Sequence, residues 1–306
     1  MSDIWDFPYV RHRGRWGKLN GMQIIDGRKL GKEILFEVKN EVAKFGFKPV
    51  FCDVLVGDDP ASIQYVKMKA KTAETVGIRF HKANFPVSIT TGELLEEIKK
   101  LNKIPNMCGI IIQLPLPEHI DRQAALDGID PRLDVDCLGR AASAKFYEGG
   151  TELGFPTALA CMALLDSLNL DLRDKKIAVL GQGLLVGKPV SALLKFRGLT
   201  PTIITSKTEY KEEIIKETDI IISGIGKGKY LTGDMIKKGA VIIDAGTSEA
   251  GNGPADGGVK IVGDVDSESV KNVAGFLSPV PGGVGPVTVA MLLSNVLTVA
   301  KKKSNE

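Results

Sequence analysis

Four short apolar runs in the second half of the chain leave few choices of fold. They are "KKIAVLG" (175–181), "TPTIITS" (200–206), "TDIIISGIG" (218–226) and "GAVIIDAG" (239–246), separated by helix-like or turn segments. Runs this continuously apolar imply strands covered on both faces, which is the environment of a parallel sheet flanked by helices. The first half repeats the alternation. "PVFCDVLVG" (49–57) precedes a helical pattern from Ser62 to Gly77, and "TTGELLEEIKKLN" (90–102) has apolar residues at helical spacing. "GIIIQLPLP" (109–117) is a buried-strand run stopped by prolines. The expectation is an α/β protein with mainly parallel sheets.

At 306 residues the chain is long enough for two domains. "YEGGTELGFP" (147–156) marks a boundary, after which "TALACMALLDSLNL" (157–170) reads as a helix. "PVPGGVGP" (279–286) reads as a rigid, glycine-rich link, and "VTVAMLLSNVLTVAKKK" after it as an amphipathic helix whose basic last turn suits the helix dipole. The net charge of +3 makes no case for nucleic acid. No apolar run is read as approaching the roughly 18 residues of a membrane span. Cys52, Cys108, Cys137 and Cys161 form no C-x-x-C, and with three histidines in all a structural zinc site is not expected. Reduced thiols in a cytoplasmic protein are the simplest reading. Residues 1–21 mix aromatics with Arg11, Arg13, Arg15 and Lys18 and lack the apolar core of a secretory signal. They read as a disordered extension or an upstream start before Met22, with an RNA-contacting arm as the alternative.

"KKIAVLGQGLLVGKPVSALL" (175–194) is strand, glycine turn, helix, the opening of a dinucleotide-binding unit. Its Gly181, Gly183 and Gly187 follow G-x-G-x-x-x-G, one residue longer than the common fingerprint. A tight turn without ligand is the competing reading. The next strand ends in Thr205, Ser206 and Lys207, with no acid to take a ribose 2′-hydroxyl, which leans toward the 2′-phosphate of NADP. "SGIGKGKYL" and "DAGTSEAG" read as glycine-rich turns at strand ends, where open parallel sheets bind ligands. In the first half, Ser62, Tyr65 and Lys69 fall on one helix face, and a phenol one turn before a lysine can hold its ammonium. A lysine turned into a cleft moves protons near neutral pH. The alternative is that Lys67, Lys69 and Lys71 are a solvated helix face. Gln113 stands inside an apolar run and needs a partner or a ligand. Asp134 and Asp136 suit a turn or a ligand hydrogen bond better than a metal.

The sequence resembles the bifunctional methylenetetrahydrofolate dehydrogenase/methenyltetrahydrofolate cyclohydrolase family over roughly residues 22 to 302. "IDGRKL" (25–30), the Ser62–Tyr65–Lys69 segment, "QLPLP", "DVD" and "PVPGGVGPVT" (279–288) occur in family order and spacing. The resemblance implies a folate-binding catalytic domain, 22–155 plus 280–306, and a Rossmann-type NAD(P)-binding domain, 156–279, with the active site in the cleft between them. It implies Lys69 as the catalytic lysine, Tyr65 stacking on folate and orienting it, and Gln113 bonding near the reacting carbon. Asp136 would hold the pterin, with Ser62, Leu114 and the Pro281, Gly282 and Gly283 loop beside the folate. Gly181, Gln182, Gly183, Val186, Gly187, Ser206, Lys207, Thr247 and Thr288 would contact NADP, with NAD possible. Tetrahydrofolate derivatives are the implied substrates, in one-carbon metabolism and purine biosynthesis, and a homodimer the implied assembly. The chain departs from the family where Gln182 replaces the arginine of G-R-S, Cys137 the glycine of D-V-D-G, and Ala158 a proline. A cyclohydrolase with weak or NAD-dependent dehydrogenase activity is the alternative that the missing arginine leaves open.

Overall fold

The computed structural model describes residues 21–252 and 259–305; all but the last residue of the basic N-terminal stretch lies outside them. The elements of the first half are β1 (Gln23–Ile24), α1 (Gly27–Val42), β2 (Val50–Val56), α2 (Pro60–Thr75), β3 (Arg79–Phe85), α3 (Thr91–Leu101), β4 (Met107–Ile112), α4 (Arg122–Asp127) and α5 (Arg140–Tyr147). The second half adds α6 (Pro156–Asp166), β5 (Ile177–Leu180), α7 (Gly187–Phe196), β6 (Thr202–Ile204), α8 (Lys211–Glu217), β7 (Ile220–Ser223), β8 (Val241–Asp244), β9 (Ser248–Asn252), β10 (Val259–Val262), α9 (Ser267–Val270), β11 (Phe276–Ser278) and α10 (Val284–Ser304). The described residues form two compact units: Ile34–Pro156 with those from Val289, and Thr157–Thr288 with 21–33.

In the first of these units β3, β2 and β4 form a parallel sheet with β2 at the centre. Every residue of β2 and β4 is buried, as their apolar runs require. The Thr90–Glu93 capping box starts α3, whose Leu94, Ile98 and Leu101 are buried. The later part of α10 packs on β4: a Cβ added at Gly109 would meet Val296 at 2.8 Å. The buried Asn295 amide donates to Val135 O at 2.8 Å and Gly154 O at 2.7 Å, pinning the loop that follows Asp134.

In the other unit six parallel strands run in the order β1-β11-β8-β7-β5-β6. The chain goes outward from β5 to β6, then back to β7 on its other side, so the order reverses between β5 and β7. In open α/β sheets ligands bind outside the carboxyl ends of the strands at such a switch point. The strands β5, β7 and β8 are buried throughout.

Four expectations change. The patterned region from Met22 reads as part of the folate domain, but β1 pairs with β11, so its first residues extend the larger sheet. Helix α10 begins at Val284, inside the glycine-rich link. That helix is long and apolar enough to cross a membrane by length and composition, contrary to the reading of the chain. Most of its most apolar window is buried in the protein, which explains why it is apolar nearly all round rather than amphipathic. "DAGTSEAG" is only partly a turn, because Ser248 onward forms β9 against β10.

Candidate functional site

Two sites emerge, one in each unit. In the unit built on β2, helix α2 starts at Pro60, with Asp59 as N-cap accepting from the Ser62 N–H at 2.7 Å. This start rotates Lys69 away from its neighbours. Lys67 and Lys71 are exposed, whereas the Lys69 side chain keeps 12% of its exposure, so this is not simply a solvated face. The Lys69 Nζ donates to Gln113 Oε1 at 2.8 Å. Gln113 follows β4, and its Nε2 donates to Leu114 O, which fixes the amide with its oxygen toward the lysine. The second partner is Asp53, in the middle of β2 and fully buried, with Oδ2 2.6 Å from Nζ. Neither carboxylate oxygen of Asp53 receives a hydrogen bond of good geometry among the described residues. Burial pushes its carboxyl up, against the pull of the Lys69 charge. Tyr65 is half exposed, and the ammonium meets Gln113 and Asp53 rather than the phenol expected to hold it.

Asp136 stands in the loop after β4's neighbour residue Asp134. Buried Asp134 accepts from Gly139 N at 2.8 Å and Asp136 N at 3.2 Å, which shapes the loop. Burial, and then the Asp134 charge, push the Asp136 carboxyl up to about 7; the Lys69 ammonium opposes this. Burial likewise raises Asp134, to about 6, against its backbone N–H donors. Cys137 stands at φ 58°, the left-handed region that favours the glycine it replaces. The patch thus sets Asp53 and Asp136 against the Lys69 charge, with Asp134 beside Asp136, a balance suited to a cationic ligand.

The second site lies at the switch point between β5 and β7. Gly181 has φ 88°, and a Cβ there would meet Gly224 O at 2.8 Å; one at Gly187 would meet Gly181 O at 2.1 Å. Those glycines bring the turn and the start of α7 against the sheet. At Gly183 a Cβ would meet nothing within 4 Å, so its backbone is open to a ligand. Val186 caps α7 without a side-chain hydrogen bond; Lys188 N donates to Gly183 O and Pro189 has no N–H, which leaves the Gly187 N–H of the first turn for an anion. These features fit a dinucleotide's pyrophosphate. Gln182 Nε2 donates to Gly181 O at 2.8 Å and approaches Ser191 Oγ at 3.3 Å. Ser206 and Lys207 are exposed just past β6, and Thr247 is exposed just past β8. Thr288 donates to Val284 O within α10. Pro281, Gly282 and Gly283 follow β11 in this same unit, and Gly283 N donates to Pro279 O at 2.7 Å.

The catalytic-domain pattern of the tetrahydrofolate dehydrogenase/cyclohydrolase family matches residues 25–136, and its NAD(P)-binding-domain pattern residues 156–304. The chain belongs to the tetrahydrofolate dehydrogenase/cyclohydrolase family. Bifunctional protein FolD of Moorella thermoacetica is 42% identical over 283 residues, which are 92% of this chain and 99% of that protein. The Trypanosoma brucei methylenetetrahydrofolate dehydrogenase-cyclohydrolase, solved with NADP cofactor and inhibitor, superposes with a TM-score of 0.88 at 35% identity, over 94% of this chain and all of that one. The Campylobacter jejuni FolD enzyme gives 0.85 at 35% identity, over 92% and 99%.

Within this tetrahydrofolate dehydrogenase/cyclohydrolase, the sequence reading missed three acids that organise the two sites. Asp264 Oδ2 accepts from Ser223 Oγ at 2.7 Å and Ile225 N at 2.8 Å, while its Oδ1 accepts from Lys227 N at 2.9 Å. Asp244 Oδ1 accepts from Gly246 N and Asp264 N, and Oδ2 from Val265 N. Both are buried and hold the turns at the strand ends. Asp53 is the third. Its signal was an acid in the middle of an apolar run, the same signal that singles out Gln113.

Proposed function

We propose that the protein oxidises 5,10-methylenetetrahydrofolate to 5,10-methenyltetrahydrofolate with NADP, and hydrolyses the product to 10-formyltetrahydrofolate, as a cytoplasmic homodimer serving one-carbon metabolism and purine biosynthesis. The observation that carries this reading is the Lys69 ammonium held between Gln113 Oε1 and Asp53 Oδ2 in a largely buried site. NADP, when bound, takes the hydride from the carbon that bridges N5 and N10. Gly181, Gln182, Gly183, Val186 and Gly187 would cradle its pyrophosphate, with Ser206 and Lys207 toward the 2′-phosphate, and Thr247 and Thr288 at its remaining contacts. Asp136 accepts from the pterin's N–H groups, Tyr65 stacks on it, and Ser62, Leu114 and Pro281 to Gly283 border the folate.

In hydrolysis, water attacks the bridging carbon and a C–O bond forms. The bond from that carbon to N5 then breaks, leaving a formyl group on N10. Of the water's two protons one ends on N5 and one leaves to solvent. Lys69 carries a proton between them, with Gln113 fixing its Nζ, a reading supported by their 2.8 Å hydrogen bond. The test is direct. Purified protein is mixed with methylenetetrahydrofolate and NADP or NAD, and reduced cofactor and methenyl product are followed by absorbance. Turnover with NADP followed by decay of the methenyl species is expected; no turnover of either folate overturns the reading. Methenyl hydrolysis with NAD-dependent or weak oxidation selects the second reading, which Gln182 favours by standing where an arginine would meet the phosphate.

A further inference from the structure

Asp53 is fully buried in the catalytic unit, and the folate reading gives it no role. It interrupts a strand of seven buried residues, "VFCDVLV". A carboxylate there loses its hydration, and no backbone N–H replaces it. Its register partner on β4 is the apolar Ile111, and its register partner on β3, Lys82, is exposed. The Cys52 thiol beside it is buried and pushed well above its usual range by that burial. From α2 the Lys69 ammonium comes to 2.6 Å, with Tyr65 a turn earlier and exposed. From the loop after β4, Asp136 senses both members of the pair, and Asp134 adds a further negative charge beside Asp136. Burial outweighs the Lys69 charge at this carboxyl, and that ammonium is what offsets part of the cost of burying it.

We propose that Asp53 is a positioning residue: its carboxylate anchors the Lys69 ammonium from the strand floor, opposite Gln113, and sets the pH at which that lysine exchanges protons with the folate-bound water. This rests on the role given to Lys69 above. The 2.6 Å contact fixes the ammonium, and any proton that Lys69 gives or takes changes the charge that Asp53 faces.

The experiment is the pH profile of methenyltetrahydrofolate hydrolysis, run without NADP on wild type, Asp53→Asn and Lys69→Met. In Asp53→Asn the rising limb of kcat moves about one pH unit or more to lower pH. KM changes by no more than about twofold, since Asp53 does not touch substrate. A profile superposable on wild type overturns the proposal while leaving Lys69 its role. A wild type that does not hydrolyse the substrate overturns the role of Lys69 instead. The pairing itself is read independently by infrared spectroscopy, including where Asp53→Asn fails to fold. Lys69→Met strands Asp53, so at pH 8 a carboxylic-acid band appears beyond that which Asp136 and Asp244 give in wild type, and it persists when Asp136→Asn is added. No added band in Lys69→Met overturns the proposal.

Discussion

Asp53 and the pair Asp244 and Asp264 are buried with opposite kinds of partner, although burial raises the Asp244 carboxyl to about 7 as it does Asp136, and Asp134 in the catalytic unit is covered by backbone N–H donors. At the nucleotide site, Asp264 and Asp244 have their oxygens covered by hydroxyl and backbone N–H donors from the turns around them. At the folate site, Asp53 has only an ammonium, and Asp136 is raised toward neutrality by burial and by Asp134. A carboxylate saturated by fixed donors is part of the scaffold, since removing it strands several N–H groups at once. One whose only partner can itself lose a proton is poised to respond to protons. The nucleotide site therefore needs rigidity from its acids, because the cofactor carries the redox chemistry. The folate site needs mobile protons, because hydrolysis does.

The comparison breaks first at Lys69. On the proposed mechanism Lys69→Met removes the group that carries the proton, so methenyl hydrolysis falls by about 10²- to 10⁴-fold. On the proposed reading the pterin contacts are elsewhere, so folate affinity, measured by fluorescence titration above neutral pH where Asp136 is ionised, falls far less than hydrolysis does. Full hydrolysis by this variant would move the chemistry away from the buried pair.

The scaffold half is tested at Asp264. Asp264→Ala strands the Ile225 and Lys227 N–H groups and the Ser223 hydroxyl. A loss of about 3 kcal/mol follows, which lowers the thermal midpoint by about 6 to 12 °C in a domain of this size. NADP affinity falls with it, as the turn after β7 loosens. A variant that melts like wild type would show that these bonds are dispensable.

How far the sequence reveals this contrast depends on the kind of signal. The parallel sheets were legible because β2, β4, β5, β7 and β8 are buried on both faces and so are written as unbroken apolar runs. Gln113 was legible for the converse reason, a polar group in such a run. Asp53 carries the same mark but has no sequence neighbour that suggests its partner, since Lys69 reaches it only after α2 folds back on the sheet. Asp244 and Asp264 lie 20 residues apart, and their donors are backbone groups, which any residue supplies. Strand β3 was not read because its pattern is mixed, with only Ala83 fully buried. The partnership of β1 with β11 was hidden by about 250 residues of separation, the kind of contact that local pattern does not encode.

Asp136 sharpens the comparison through pH. Burial pushes its carboxyl up to about 7, so on the proposed reading the ionised form that would accept from the pterin fills as pH rises through neutrality. Folate affinity in wild type is expected to rise across that range and level off above it. Asp136→Asn abolishes the rise and weakens binding at pH 8 by about 10- to 100-fold, the worth of hydrogen bonds to a charged acceptor. A pH-independent wild-type affinity would show that the pterin is held by other groups.

The smallest effect expected is at Gln182, and it tests whether the rigid site also chooses its cofactor. The glutamine amide is turned inward to Gly181 O and Ser191 Oγ, so it offers no charge to a phosphate. The exposed Lys207, past the end of β6, does, and β6 is paired with β5, whose carboxyl end carries Gln182. Gln182→Arg would add a second cation on the neighbouring strand end. The ratio of NADP to NAD affinity, from titration of each cofactor, should then rise about tenfold, the effect of one added charge-assisted bond. Lys207→Ala should move the same ratio the other way. If the arginine leaves the ratio unchanged while loss of Lys207 collapses it, the phosphate is read from β6 alone, and the turn after β5 serves only the pyrophosphate.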